Sequence, residues 1–135
     1  MAHITRRDCI ASAVAVLSTP GHENAVYEIT GPRLNTFEEI SQIIAEVAGR
    51  PIEYIEVDDE GMYAHFDSLG IPRSAQEKVV NRFPWSSDDM VSVERAIREG
   101  AMEVISDHVK RLTQEEPQSF RSFALEQKDF LRSLV

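Results

Sequence analysis

Apolar residues recur along this chain at two different periods. Phe37, Ile40, Ile44 and Val47 fall three and four residues apart, which predicts a helix from Thr36 to Ala48. Thr36 and Glu39 have the spacing of a capping box at its start, and Gly49 stands where a left-handed cap is expected at its end. Val26-Tyr-Glu-Ile-Thr30 is short, rich in β-formers and bounded by turn residues, so a strand is expected near 25–30. Ile52-Glu-Tyr-Ile-Glu-Val57 alternates imperfectly and predicts a second strand over 52–57. Ahead of both, Thr5 and Asp8 offer a cap for an Ala- and Val-rich stretch, Cys9 to Ser18. That stretch is almost free of charge and reads as a helix buried on most sides. Thr19-Pro20-Gly21 ends it.

The second half of the chain reads as helices only. Asp58-Asp59-Glu60 opens a third helix, since carboxylates are stabilising at a helix N-terminus, and Gly70 stops it after Leu69. Pro72 restarts a helix through Val80, and Asn81 to Trp85 interrupts the pattern. Ser86-Ser-Asp-Asp89 caps a helix over Met90 to Glu99, and a short helix covers Asp107 to Thr113. Ser119 caps a last helix with a stripe of Phe120, Phe123, Leu131 and Leu134, Phe130 lying beside it. The order helix, strand, helix, strand, then helices predicts an α/β fold, α+β when isolated, with a small sheet and about six helices.

Length and charge narrow the function classes. With 135 residues, one domain over 1–135 is expected, large enough for one core. The formal net charge is −9 and the basic residues form only short pairs such as Arg6-Arg7 and Lys110-Arg111. This argues against nucleic acid and against anionic membrane surfaces. No run approaches the ~20 apolar residues that span a bilayer, and the opening residues lack the apolar core of a secretion signal. Cys9 is the single cysteine, so no internal disulfide forms, which fits a cytoplasmic location. Among Ile10, Ala13, Val14 and Leu17 it reads as a small buried core residue.

Four blocks, in order, carry a family resemblance. They are Arg7-Asp8-Cys9-Ile10-Ala11, the run Pro20 to Pro32, Thr36-Phe-Glu-Glu-Ile40 followed by Gly49-Arg-Pro-Ile-Glu-Tyr54, and Leu69-Gly-Ile-Pro72 with the later Ser106 to Thr113, Pro117 and Phe120. Together they resemble the C-terminal, substrate-binding part of the NmrA-like branch of atypical short-chain dehydrogenases. The resemblance implies a pocket for quinones, aromatic compounds or other small electrophiles. It also implies that NAD(P)H is held by a separate, preceding nucleotide-binding domain. That domain uses a glycine turn to bring backbone amides to the pyrophosphate. Here Gly21, Gly31, Gly49, Gly61, Gly70 and Gly100 stand alone, so no cofactor-binding residue is assigned to this chain. Strands that extend another domain's sheet leave unpaired edges when that domain is missing. A homo-oligomer or a separate Rossmann-domain partner is therefore expected. Whether the chain is a natural short protein or a fragment is open.

Candidate chemistry gathers in Met62-Tyr-Ala-His-Phe-Asp67. His65 is the candidate acid or base, as imidazole titrates near neutrality, and Tyr63 is its candidate partner. Tyr63, His65 and Asp67 spread over roughly 200° of a helix and cannot meet at one atom. Met62, Phe66, Phe83 and Trp85 are the candidate walls for a flat apolar substrate. Each has a plainer role, as helix surface for His65 and as a core anchor for Trp85. No metal site is expected, because the acidic run 58–60 has no further ligand at a suitable spacing. The reading that follows is a small-molecule-binding domain, not redox-active alone. The alternatives are a cofactor-independent acid–base enzyme, such as an isomerase, hydratase or lyase, and a regulatory protein-interaction module.

Overall fold

The computed structural model describes residues 1–74 and 85–134. It forms two compact units, Met1–Tyr54 with Glu103–Val135, and Ile55–Met102. The described elements are all helices: α1 (Arg6–Ser18), α2 (Phe37–Ala48), α3 (Asp59–Ser68), α4 (Ser87–Arg98), α5 (His108–Thr113), α6 (Phe120–Glu126) and α7 (Lys128–Ser133). The helix expected from Pro72 through Val80 lies mostly outside the described residues.

The caps follow the sequence closely. Thr5 Oγ1 accepts the Asp8 N–H at 3.1 Å. Thr36 and Glu39 form the reciprocal capping box, and Gly49 adopts φ 76° after α2. Ser86 and Asp89 form a second box at α4, and Ser119 caps α6. The last helix departs from expectation. It breaks at Gln127, whose φ of −92° and ψ of 13° separate α6 from α7.

The expected sheet is absent: no strand occurs among the described residues. Segment 25–30 runs without a ladder, and its polar groups find other partners. The Glu28 N–H donates to His108 Nδ1 at 2.8 Å. The Ser106 hydroxyl donates to the Glu28 carbonyl, and the Ser106 N–H donates to Thr30 Oγ1 at 3.1 Å. Segment 52–57 is exposed throughout and belongs to no regular element. The physical reason is that a strand is completed by a neighbour. Two short strands with no adjacent sheet have too little pairing to persist.

In the first unit α2 packs on α6 and α7, and α1 packs on α5. The core is Ile43, Val47 and Ala124, with Phe120 and Leu131 against it. The centre of the α2 stripe is thus Ile43 and Val47, one turn apart, while Phe37, Ile40 and Ile44 flank it half-buried. In the terminal helices Phe123, Phe130 and Leu134 are exposed, and Ala124 takes the central place. Arg121 clamps α6 to α2 through a bidentate pair with Glu46, at 2.8 and 2.8 Å.

Helix α1 is built inside out relative to expectation. Its buried residues are Asp8 and Ser12. Ile10, Val14 and Leu17 are 59%, 57% and 87% exposed, and Cys9 is exposed rather than buried. The buried polar groups are satisfied by specific bonds, of which the one to Gln118 ties α1 to another segment. Ser12 Oγ donates to the Asp8 carbonyl at 2.8 Å, and Asp8 Oδ2 accepts the Gln118 N–H at 2.9 Å. Gly31 is a point of close approach. A Cβ there would lie 1.8 Å from the His3 carbonyl oxygen.

Candidate functional site

Met62, Tyr63, His65 and Phe66 lie on α3 and Trp85 just ahead of α4, within the second unit, where α3 packs on α4. Asp58 caps α3 by accepting the Gly61 N–H at 2.9 Å. This orients the first turn and sets the two faces that carry the candidate residues.

One face is polar. Tyr63 and Asp67 are one turn apart, and Arg73 serves both. Its guanidinium carbon stands 4.1 Å from the Tyr63 ring centroid, and its Nε and Nη2 donate to Asp67 at 2.9 and 2.5 Å. The Tyr63 hydroxyl donates to Asp88 Oδ1 at 3.0 Å. That bond to a carboxylate, with lesser help from desolvation and the Asp88 charge, pushes the phenol above its ordinary pKa. Tyr63 is therefore a hydrogen-bond donor at neutral pH, committed to Asp88 and covered by Arg73.

The other face is aromatic. The His65 and Phe66 rings lie 5.9 Å apart at 50°. Phe66 meets Trp85 edge to face, with centroids 5.7 Å apart and planes at 68°. Such a pair is favourable beyond its buried area, because the ring edge faces the neighbour's negative π-face. Phe66 and Trp85 are half-buried, Met62 is half-buried, and His65 is exposed. The structure thus joins His65, Phe66 and Trp85 through ring contacts and engages Tyr63 with Asp67, Arg73 and Asp88. Phe83 lies outside the described residues.

The acidic run at the start of α3 has cationic partners. Asp59 accepts from Arg95 Nε and Nη2 at 2.8 and 2.5 Å and from Arg98 Nη2. The bonds from Arg98 and then Arg95 hold its carboxyl below the usual range. Among the described residues no group of three or more His, Cys, Asp or Glu could hold a metal ion.

Two polar arrangements in the first unit were not legible in the sequence. His22 bonds Thr19 Oγ1 and the Tyr27 hydroxyl, each at 2.7 Å, and the Tyr27 ring meets His108 edge to face at 5.5 Å. His108, the first residue of α5, accepts a backbone N–H from 80 residues away. No local pattern announces such a contact. Among the described residues no helix is long and apolar enough to cross a membrane.

No protein-family model matches the chain. It is 30% identical over 89 residues to an NAD(P)H azoreductase of Xenophilus azovorans, covering 66% of this chain and 31% of that protein. It is 27% identical over 126 residues to an agroclavine dehydrogenase of Claviceps fusiformis, covering 93% of this chain and 40% of that protein. Quinone oxidoreductase 2 of Escherichia coli is 31% identical over 72 residues, covering 53% of this chain and 25% of that protein. The chain therefore spans well under half the length of the curated relatives it matches. These similarities relate it to NAD(P)-dependent oxidoreductases.

Proposed function

We propose that this chain is the small-molecule-binding part of an NmrA-like, NAD(P)H-dependent oxidoreductase, and that it carries out no redox chemistry without a nucleotide-binding half. The observation that carries this reading is similarity over 126 residues to a relative named as a dehydrogenase. It occurs in a chain whose glycines have no pyrophosphate-turn spacing. The ligand is flat and apolar, and the Phe66–Trp85 pair with His65 and Met62 forms its wall. The exposed apolar face of α1 is covered in the working assembly, by a second copy or by a separate nucleotide-binding partner.

Trp85 is the only tryptophan, so its emission reports on this wall alone. Titration with 1,4-naphthoquinone is expected to quench it saturably. Phe66→Ala should weaken binding by a factor of about three to ten, the worth of one aromatic contact. Calorimetry with NADH and NADPH should show no binding to the chain alone. Submillimolar affinity for either nucleotide, or quenching that never saturates, would overturn the reading.

A further inference from the structure

The first unit holds a cavity lined by residues other than those of the aromatic wall on α3. This cavity of about 540 Å³ opens beside the start of α1 and α6, lined by His3, Thr5, Arg6, Cys9, Phe120 and Phe123 among others. Its size falls in the range of roughly 300–1,000 Å³ typical of small-molecule pockets. We propose that this cavity binds a flat aromatic anion, its rings against Phe120 and Phe123 and its anionic group at Arg6.

The walls are fixed by packing. His3 meets Phe120 at 5.6 Å and 61° and Phe37 at 6.4 Å and 77°, so its ring is wedged between two others. Phe120 is anchored against the core of Ile43, Val47 and Ala124. Phe123, three residues on along α6, is 40% exposed and offers its ring to an incoming group. An exposed phenylalanine beside a fixed aromatic wall suits a flat ring, which gains area at little conformational cost.

The charge of the ligand follows from what stands at the rim. Arg6 is exposed and enters no ion pair among the described residues. Asp8, two residues on, is turned inward, where its Oδ2 accepts from Thr5 and from Gln118 at 2.8 and 2.9 Å. The overall charge of −9 opposes an anion at long range. That field is screened within about 8 Å at physiological salt, whereas a guanidinium–carboxylate contact is charge-assisted at bonding distance and bidentate. Contact wins over the distant field.

Cys9 is the only cysteine, is exposed and is one of the residues lining the cavity, so its alkylation reports on occupancy of this site. With iodoacetamide as the neutral probe, 2-naphthoate is expected to slow Cys9 alkylation saturably. The uncharged 2-naphthalenemethanol should bind about tenfold more weakly, the loss of one charged contact. Arg6→Gln, at an exposed position, should bring naphthoate down to the affinity of the alcohol. Phe123→Ala, with its fold checked by circular dichroism, should weaken both. An unprotected Cys9 would overturn the proposal, as would a naphthoate-to-alcohol ratio unchanged in Arg6→Gln. Trp85 emission should respond the same way in Arg6→Gln as in the parent, so failure here is distinguishable from failure of the aromatic wall on α3.

Discussion

At His3, burial competes with protonation. Desolvation is the main cause that lowers its pKa, the nearby amino-terminal charge adds to it, and a backbone contact at Met1 opposes both. Its Nδ1 is buried with no hydrogen-bond partner. The folded state therefore prefers the neutral ring, while the unfolded chain takes up a proton near an ordinary pKa of about 6.5. Between that value and the lowered folded one, the unfolded state binds more protons. Stability is thus greatest above about pH 6.5 and falls as pH drops through this window, levelling once the folded ring also protonates. Urea midpoints measured from pH 8 to 5 should show this slope, and His3→Gln should flatten it just below pH 6.5. An identical slope in the variant would show that His3 is not the source. The neighbouring Cys9 illustrates the same scale from the other side. Surrounded in sequence by apolar residues, it was expected inside, and the structure places it at a cavity mouth.

Helix α1 owes its orientation to a side chain whose local role was plain and whose distant role was not. Asp8 reads as a capping-box residue from its spacing to Thr5. Its second bond, to the Gln118 N–H, joins α1 to the residues just ahead of α6 across 110 positions. Asp8→Ala keeps the Thr5 cap, which uses the backbone N–H of residue 8, but removes the acceptor of the Thr5 hydroxyl and this staple, and leaves a half-buried N–H unpaired. A lost hydrogen bond costs about 1 kcal/mol and an unsatisfied group about 1–3 kcal/mol more. Chemical denaturation should show a loss of about 2–4 kcal/mol, whereas Arg7→Ala, exposed and unpaired among the described residues, should stay close to the parent. A loss below about 1 kcal/mol in Asp8→Ala would show that the staple to Gln118 contributes little.

For the whole molecule the question is what lies over α1. Ile10, Val14 and Leu17 share one helical face and are more than half exposed. Covering such side chains contributes about 1.5–3 kcal/mol each, so six of them in a two-fold pair supply about 9–18 kcal/mol. Association costs about 4–15 kcal/mol, a range that overlaps the gain, so at mid-range values pairing through this face is modest. Sedimentation across low to high micromolar concentration should show a monomer–dimer equilibrium, and Leu17→Lys should shift it to monomer. A monomer at every concentration in the parent chain would instead leave the α1 face to a separate nucleotide-binding partner, detectable by co-expression with such a domain.

The sequence by itself determined where α1 to α5 begin and end, but not the break at Gln127, and it pointed to oxidoreductase relatives. Thr36 with Glu39, Ser86 with Asp89, and Gly49 act within a few residues, so their caps form whatever the surroundings. The absence of a ladder at segments 25–30 and 52–57, the inward turn of Asp8, and the capture of the Glu28 N–H by His108 were decided only in the tertiary structure. Each depends on a partner tens of residues away, and period and propensity carry no record of which partner is present. The candidate site divides the same way. Helical spacing set His65 three residues from Met62 and Phe66 three from Tyr63, but the turn of Tyr63 toward Asp88 and Arg73 came from side chains brought in by later segments. A strand is half of an interaction, and its sequence shows the half it contributes; a helix closes its own hydrogen bonds, and so is written locally.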